Sequence, residues 1–249
     1  MSKTAFITGA TSGFGLATAK AFANEGYNLI ILGRRAERLD ELAKTIKNIK
    51  IHKIATDVRD KKRIFDEIAN LPDEFKNIEI LVNNAGLALG QEKVEEANLD
   101  DFETMIDTNI KGLLYVTKAV LPIMSAKKSG YIFNIGSVAG SWPYPGGNVY
   151  GGTKAFVKQF SLNLRNDIKG SNIRVTNIEP GIAKTEFSLV RFKGDSAKSD
   201  AVYDGTKYLT GDDIARIIVD LSKLPSHVNI NSLEVMATTQ SWAGFAFER

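Results

Sequence analysis

Tyr150 and Lys154 form the pair of residues whose types and spacing most directly suggest chemistry. Four residues apart in the predicted helix 149–169, they would lie about one turn apart on the same helix face. An ammonium group beside a phenol favours the phenolate, so we expect Lys154 to lower the tyrosine pKa from its usual ~10. Such a tyrosine can act as a general acid or base toward an alcohol or a carbonyl.

Two further polar residues distinguish this pair from the surface Tyr-x-x-x-Lys pairs that are common on helices. Ser137 stands thirteen residues before Tyr150, and Asn109 lies in an earlier long helical segment. Their presence favours a catalytic pair over a surface pair. Tyr150 and Lys154 are therefore candidate catalytic residues, and the family resemblance described below adds Asn109 and Ser137 to them.

A glycine-rich turn follows the first apolar strand and leads directly into a helix. Glycines allow a tight turn and a close approach of the backbone to a pyrophosphate, and the helix N-terminus presents free N–H groups to it. A purely structural strand–helix turn is the alternative, but the position after the first strand favours phosphate binding. The predicted contacts in this turn are Gly9, Ala10, Thr11, Ser12, Gly13, Phe14 and Gly15.

The end of the second predicted strand indicates which dinucleotide would bind. An NAD site usually has a carboxylate here that accepts from the ribose 2′-hydroxyl. This chain has Gly33 followed by Arg34 and Arg35, which suit bidentate capture of a 2′-phosphate. Solvent-facing arginines at a helix start are the alternative. The sequence therefore predicts NADP as the cofactor.

The elements that must position these residues alternate regularly between strand and helix. Several strands are continuously apolar, as in a parallel sheet that helices cover on both faces. The pattern predicts the α/β class, with a doubly wound Rossmann fold and a seven-stranded, mainly parallel sheet with helices on both faces. The predicted strands are 4–8, 28–32, 51–55, 78–83, 130–135, 173–179 and 232–236, and the predicted helices are 14–24, 36–47, 61–71, 100–127, 149–169 and 212–224.

One long segment interrupts this alternation. Residues 180–209 have no strong period and contain three glycines. Loops of this length in compact domains are usually functional or disordered, and after a parallel strand the segment would lie over the ligand-binding edge of the sheet. With no linker or repeat in the sequence, we expect residues 1–249 to form a single dinucleotide-binding catalytic domain with a substrate lid at about residues 180–209.

Composition excludes several other classes of protein. The chain of 249 residues is 43% hydrophobic and 24% charged, which is typical of a globular protein. Without cysteine, and with His52 and His227 as its two histidines, it offers no disulfide framework or His/Cys metal site, so no metal is predicted. The net charge is +3, and the lysines and arginines are scattered along the chain, so the sequence predicts no nucleic-acid partner. No signal peptide and no apolar run of ~18 residues is visible, which predicts a cytoplasmic protein without membrane contact.

Taken together, the ordered motifs resemble the short-chain dehydrogenase/reductase family along essentially the whole chain. Besides the turn and the candidate catalytic residues, the sequence has Asn83-Asn84-Ala85-Gly86 after the fourth strand and Pro180-Gly181 with Thr185 after the sixth. The resemblance implies further cofactor contacts, although Asp57 could also be a plain turn residue. These implied contacts are Asp57, Val58, Asn84, Ala85, Gly86, Tyr150, Lys154, Pro180, Gly181, Ile182 and Thr185.

The resemblance also implies a role for each candidate catalytic residue. Tyr150 would exchange a proton with the substrate oxygen, and Ser137 would hydrogen-bond the same oxygen. Lys154 would lower the pKa of Tyr150 and bind the nicotinamide ribose. Asn109 would interrupt helix hydrogen bonding locally and hold a water in a proton relay to Lys154.

Stretches beyond the general motifs resemble the NADP-dependent 3-hydroxy acid dehydrogenases, also called serine or allo-threonine dehydrogenases. They are residues 84–90, 140–144, 185–188, 190–195 and 228–231. This resemblance implies oxidation of serine, allo-threonine or 3-hydroxyisobutyrate, reduction of malonic semialdehyde, and a homotetramer. A small carboxylate needs a cation, and the lid offers Lys193 and Arg191. Arg191 is our substrate-binding candidate beside Ser137 and Tyr150, although it could also face solvent.

Two other functions remain open from the sequence. The same fold and chemistry could serve a ketoacyl thioester, a sugar or a bulky ketone. A non-catalytic NADP-binding sensor is the other alternative, which the presence of Ser137, Tyr150 and Lys154 disfavours. Trp142 and Tyr144 could line the substrate pocket or simply pack.

Overall fold

Seven parallel strands form one sheet in the computed structural model, which describes residues 2–242. Each predicted strand is present within one residue of its predicted bounds, and every pairing is parallel, so the sheet is wholly rather than mainly parallel. The strands are β1 (Thr4–Thr8), β2 (Asn28–Gly33), β3 (Ile51–Ala55), β4 (Ile78–Asn83), β5 (Gly130–Ile135), β6 (Ile173–Pro180) and β7 (Ser232–Val235).

The strand order is β3-β2-β1-β4-β5-β6-β7, so the chain reverses its direction of winding between β1 and β4. Ligands bind outside the carboxyl ends of the strands at such a switch point. The two strands on each side of it are fully or nearly fully buried: β1 and β2 on one side, β4 and β5 on the other. Burial on both faces explains their continuous apolar sequences.

Helices cover both faces of the sheet in the described residues. Phe22 of the first helix packs with Ile7 of β1 on one face, and Val120 of the fifth helix packs with Phe6 of β1 on the other. The helices are α1 (Gly13–Asn24), α2 (Ala36–Thr45), α3 (Lys61–Ala69), α4 (Leu99–Ile106), α5 (Leu113–Lys127), α6 (Asn148–Asp167), α7 (Phe187–Arg191), α8 (Ser196–Ala201) and α9 (Gly211–Ser222), with a π-helical segment (Asp107–Gly112) and 3₁₀ turns (Asp73–Phe75 and Val138–Gly140).

Two predicted segments have more internal structure than expected. The helix predicted over 100–127 consists of α4, the π-helical segment and α5 in direct succession. The segment 180–209, which has no strong period in sequence, contains the short helices α7 and α8 and an isolated parallel bridge between Ala183 and Leu209. Helices of five and six residues are too short to produce a recognisable period in the sequence.

The helices of residues 2–242 include none with both the length and the apolar character that crossing a membrane requires.

Candidate active site

A cavity of about 680 Å³ opens at the carboxyl edge of the sheet, over the switch point between β1 and β4. It is lined by the turns that follow β1, β4, β5 and β6 and by the segment 180–209. Most of the predicted site residues line it: Gly9, Thr11, Ser12, Gly13, Phe14, Arg34, Arg35, Asp57, Val58, Asn84, Ala85, Gly86, Ser137, Tyr150, Lys154, Pro180, Gly181, Ile182, Thr185 and Arg191. Three predicted residues are buried behind its wall instead: Ala10, Gly15 and Asn109.

The glycine-rich turn after β1 is folded tightly enough that side chains would not fit. A Cβ atom on Gly15 would lie 2.3 Å from the carbonyl oxygen of Gly9, and Gly9 itself has a φ of +67°. The amide of Asn84 holds the turn, because its Nδ2 donates to the carbonyls of Thr8 and Gly9 at 2.9 and 3.2 Å. Asn84 therefore fixes the turn and also lines the cavity, so its predicted contact with the cofactor stays a prediction.

The N-terminus of α1 presents donors to the cavity. Ser12 is the N-cap residue, and its side chain makes no capping hydrogen bond to any described residue, while no acidic residue lies in the first turn. Free N–H groups and the positive end of the helix dipole suit a phosphate. Beside them, a Cβ on Gly13 would approach the Thr185 side chain to 3.2 Å and fill the cradle. These features fit a dinucleotide pyrophosphate.

The arginines predicted to bind a 2′-phosphate lie at the same end of the cavity. Arg35 donates from Nη2 to the hydroxyl of Thr11 at 2.9 Å and from Nη1 to a carboxylate oxygen of Glu186 at 3.0 Å. Arg38 donates from Nη1 to the other oxygen of Glu186 at 2.6 Å. Arg34 is more exposed, and its guanidinium lies 4.0 Å from Asp57. This end of the site therefore gathers three guanidinium groups with two carboxylates, those of Asp57 and, from a distant part of the chain, Glu186.

Asp57 and Val58 line the cavity after β3, as predicted. The Asp57 carboxylate accepts from the backbone N–H and the guanidinium of Arg59. Although partial burial acts to raise the pKa of Asp57, these hydrogen bonds hold it below its ordinary value. A carboxylate kept ionised beside the cavity can accept hydrogen bonds from a ligand.

Tyr150 and Lys154 share one face of α6 and are both buried, with 8% and 6% of their surface exposed. The Lys154 ammonium donates to the Ile135 carbonyl at 2.8 Å and lies 5.9 Å from the centre of the Tyr150 ring. Ser137 follows β5, and a hydrogen bond with it acts to lower the pKa of Tyr150. The three predicted residues are therefore together in the cavity.

Burial and neighbouring groups other than Lys154 shift the pKa of Tyr150 in this structure, so the predicted lowering by Lys154 stays a prediction. Burial dominates and raises the pKa of Tyr150 to about 12, while Arg191 and the hydrogen bond with Ser137 act in the lowering direction. Burial also lowers the pKa of Lys154 to about 8, because a charged ammonium is poorly solvated there. The cation that acts to lower the pKa of Tyr150 against the effect of burial is Arg191, from the segment 180–209.

Asn109 lies in the π-helical segment between α4 and α5, where the regular helix hydrogen bonding is interrupted as the resemblance implied. Its side chain bonds both backbone groups of Leu87, accepting from the N–H and donating to the carbonyl, each at 2.8 Å. It also donates to the Thr153 hydroxyl at 3.0 Å. Asn109 thereby fixes the turn after β4 against α6, directly behind Gly86 and Lys154.

Arg191 ends α7 and lies inside the cavity, not toward solvent. Its Nη2 donates to the Tyr144 hydroxyl at 2.6 Å, and its guanidinium carbon is 5.0 Å from the centre of the Tyr150 ring. Its Nε is buried and has no hydrogen-bond partner among the described residues. Arg191 therefore holds a buried donor beside the tyrosine that an anionic ligand could use.

The other candidate groups divide between the cavity and the surface. Tyr144 lines the cavity, whereas Trp142 is 39% exposed and donates to Glu234. Lys193 pairs with Asp101 at 2.7 Å and does not line the cavity.

Sequence reasoning missed three residues of this region. Arg38 follows Arg34 and Arg35 at helical spacing, which could have identified it as a third cation. Gln240 accepts from the N–H of Ile182 at 2.8 Å, and Glu186 bridges Arg35 and Arg38. Both contacts join residues far apart in the chain, and no local pattern in the sequence indicates them.

A model of the short chain dehydrogenase family matches residues 3–194. NADP-dependent 3-hydroxy acid dehydrogenase YdfG of Escherichia coli strain K12 is 54% identical over 245 residues, which cover 98% of each chain. Sulfoacetaldehyde reductase 2 of Chromohalobacter salexigens is 52% identical over 251 residues, which cover 100% of each chain.

A solved structure described as the closed form of serine dehydrogenase complexed with NADP⁺ matches the fold with a TM-score of 0.93. That protein is 54% identical in sequence, and the match covers 99% of each chain.

Proposed function

The chain belongs to the short-chain dehydrogenase family, and on that premise we propose that it transfers hydride between NADP(H) and the 3-hydroxyl or 3-oxo carbon of small 3-hydroxy acids. It is an NADP-dependent oxidoreductase that acts on CH–OH groups. Serine, allo-threonine and 3-hydroxyisobutyrate are the proposed alcohols, and malonic semialdehyde is a proposed substrate in the reductive direction. Neither the relative from Escherichia coli nor that from Chromohalobacter salexigens is named for the alternatives left open by the sequence, which are a ketoacyl thioester, a sugar, a bulky ketone and a sensor.

One observation carries the choice of an acidic substrate. Arg191 stands in the same cavity as Tyr150, with a buried Nε that lacks a partner among the described residues. The guanidinium carbon is 5.0 Å from the centre of the Tyr150 ring, so a carboxylate bonded to it would leave an alcohol at the 3-carbon of the same molecule near Tyr150. A guanidinium in a partly dry cavity binds a planar acid group more strongly than an exposed one does.

Tyr150 is the proposed proton donor and acceptor for the substrate oxygen. Ser137 would hydrogen-bond the same oxygen and hold it toward Tyr150. When bound, NADP(H) supplies or accepts the hydride at its nicotinamide ring. The buried ammonium of Lys154, fixed by the Ile135 carbonyl, is suited to bond a ribose hydroxyl beside the tyrosine.

A sulfonate-bearing aldehyde is the second candidate substrate class. The relative from Chromohalobacter salexigens is a sulfoacetaldehyde reductase at 52% identity. A sulfonate and a carboxylate both accept hydrogen bonds from a guanidinium through several oxygens, so Arg191 would serve either group. The two candidates differ in the acid group and share the hydride chemistry.

The segment 180–209 is proposed to act as a substrate lid within a single catalytic domain. It already contacts the segment that follows β4, because the N–H of Gly90 donates to the carbonyl of Arg191 at 2.9 Å. Closure of such a lid would exclude water from the hydride-transfer site. Slower amide exchange in this segment when NADP⁺ and substrate are added would support the proposal, and unchanged exchange would contradict it.

A substrate panel tests the proposed function. Initial rates are measured from the absorbance of the reduced nicotinamide, with NADP⁺ or NAD⁺ and serine, allo-threonine, 3-hydroxyisobutyrate or an uncharged alcohol of similar size. Sulfoacetaldehyde and malonic semialdehyde are tested with NADPH. The proposal requires higher kcat/KM for acidic substrates than for the uncharged alcohol. Equal turnover of charged and uncharged substrates, or a preference for NAD⁺, would contradict it.

Two lid variants separate the role of Arg191 from a general effect of charge. Arg191→Ala should raise KM for the acidic substrates far more than for the uncharged alcohol. Lys193→Ala removes a charge two residues away, where the side chain pairs with Asp101 outside the cavity, and should leave both KM values nearly unchanged. A uniform effect of Arg191→Ala on both substrates would mean that another group holds the acid.

A homotetramer and a cytoplasmic location complete the proposal. The family resemblance implies the homotetramer, with the helices around Asn109 and Tyr150 packed between subunits, and the sequence without a visible signal peptide predicts the location. Light scattering of the purified protein checks the assembly: a mass other than that of four subunits would contradict it.

A further inference from the structure

Glu186 joins the lid to the helix that follows β2. It is the N-cap residue of α7, and its carboxylate bonds Arg35 at 3.0 Å and Arg38 at 2.6 Å. Arg35 follows β2 as the N-cap residue of α2, and Arg38 lies in the first turns of that helix. One carboxylate of the lid therefore engages two guanidinium groups at the cofactor end of the cavity.

These contacts use donors that suit a phosphate. Arg35 donates hydrogen bonds from Nε and Nη2 to the Thr11 hydroxyl in the glycine-rich turn. Its guanidinium group therefore lies between this turn and Glu186. Thr11, Arg35 and Glu186 all line the same cavity. A 2′-phosphate that approached Arg35 would meet the Glu186 carboxylate on the same guanidinium group.

The Glu186 carboxylate is charged under ordinary conditions. Partial burial acts to raise its pKa, but the hydrogen bonds and charges of Arg35 and Arg38 hold that pKa below its ordinary value. Two anions that share one guanidinium group repel each other, and each takes donors from the other. The side chain of Glu186 is 41% exposed, so solvent moderates this repulsion without removing it.

We propose that Glu186 competes with the 2′-phosphate of NADP for the guanidinium groups of Arg35 and Arg38, and so acts as a cofactor-specificity residue of the lid. The inference rests on the proposed use of NADP. Glu186 lowers the preference for NADP over NAD. The bound 2′-phosphate in turn weakens the ion pairs that join Glu186 of the lid to Arg35 and Arg38. Arg38, which does not line the cavity, becomes a phosphate-binding donor when Glu186 releases it.

Direct binding measurements test this proposal without turnover. Dissociation constants of NADP⁺ and NAD⁺ are measured by isothermal titration calorimetry for the wild type and for Glu186→Gln, which keeps the shape of the side chain and removes its charge. We expect Glu186→Gln to bind NADP⁺ about fivefold more tightly and NAD⁺ with unchanged affinity, as suits a partly exposed like-charge contact. Glu186→Ala should shift NADP⁺ binding in the same direction.

Glu37→Gln is the matched control. It removes the same charge from the exposed first turn of α2, beside the residues that Glu186 bonds. The proposal requires no comparable gain in this variant. Unchanged or weaker NADP⁺ binding in Glu186→Gln, an equal gain for NAD⁺, or an equal gain in Glu37→Gln would overturn it.

The wild-type measurement separates this inference from the proposed function. If the wild type binds NADP⁺ no more tightly than NAD⁺, the proposed cofactor preference fails. If the wild type prefers NADP⁺ and Glu186→Gln brings no selective gain, the competition alone fails. Thermal unfolding of each variant checks that the fold is intact.

Discussion

The guanidinium carbon of Arg191 lies 5.0 Å from the centre of the Tyr150 ring. Tyr150 belongs to α6 and Arg191 to the lid, so the contact links the proposed catalytic residue to the segment that covers it. The positive charge of Arg191 acts to lower the pKa of Tyr150 against the raising effect of burial. The same arginine could thus bind the acid group of the substrate and tune the proposed proton donor.

The pH dependence of alcohol oxidation should therefore change when Arg191 is replaced. Removal of its charge raises the pKa of Tyr150, so the phenolate forms only at higher pH. In Arg191→Ala, we expect the acidic limb of the kcat profile for an uncharged alcohol to move to higher pH, with a smaller movement in Arg191→Lys. Lys193→Ala should show the wild-type profile, and an acidic limb that stays in place in Arg191→Ala would exclude this coupling.

Arg35 should contribute more to NADP binding than Arg34. Arg35 is fixed against Thr11 at the phosphate-binding turn, whereas 62% of the Arg34 side chain is exposed. Because a charge-assisted hydrogen bond contributes roughly 1.5–3 kcal/mol, Arg35→Ala should weaken NADP⁺ binding by about tenfold or more. Arg34→Ala should cost less, and NAD⁺ binding should change little in either variant. Calorimetric titration gives all four values, and equal losses for the two cofactors would show that neither arginine binds the 2′-phosphate.

The stability of the protein should reflect the burial of Lys154. Its pKa is about 8 in the folded chain and 10.5 for an ordinary lysine, so between these values the unfolded chain binds more protons. The free energy of unfolding then rises with pH relative to that of Lys154→Met. We expect the difference between the two proteins to change by about 2 kcal/mol between about pH 7.5 and about pH 10.

Urea unfolding at several pH values measures this difference. The comparison with Lys154→Met removes the contributions of other titrating groups, which both proteins share. A difference in unfolding free energy that stayed constant across this range would mean that the Lys154 ammonium is well solvated in the folded chain.

The strands could be predicted from the sequence because residues buried on both faces of the sheet are apolar and form continuous runs. The run Leu29-Ile30-Ile31-Leu32 is buried on both faces of the sheet, and such runs carry the strand signal in their own residues. The same holds for the glycine-rich turn, where the close approach of Gly15 to the Gly9 carbonyl requires glycine. The two short helices of the lid left no comparable signal.

The electrostatics of the site depends on contacts that no spacing encodes. Glu186 meets Arg38 across 148 residues of chain, and Arg191 meets Tyr144 across 47. The spacing of Tyr150 and Lys154 correctly predicted that they share one face of a helix. The pKa of Tyr150, in contrast, depends most on its burial, which is a property of the folded chain.

Tyr150→Phe tests the central claim most directly, because it removes the proposed proton donor and leaves the rest of the cavity in place. Turnover of serine or 3-hydroxyisobutyrate with NADP⁺ is measured beside the dissociation constant of NADPH. Since acid–base catalysis contributes about 10²–10⁴-fold, we predict a loss of turnover of at least about a hundredfold, with NADPH binding nearly unchanged. Turnover within about tenfold of the wild type would contradict the assignment of Tyr150 as the catalytic acid and base.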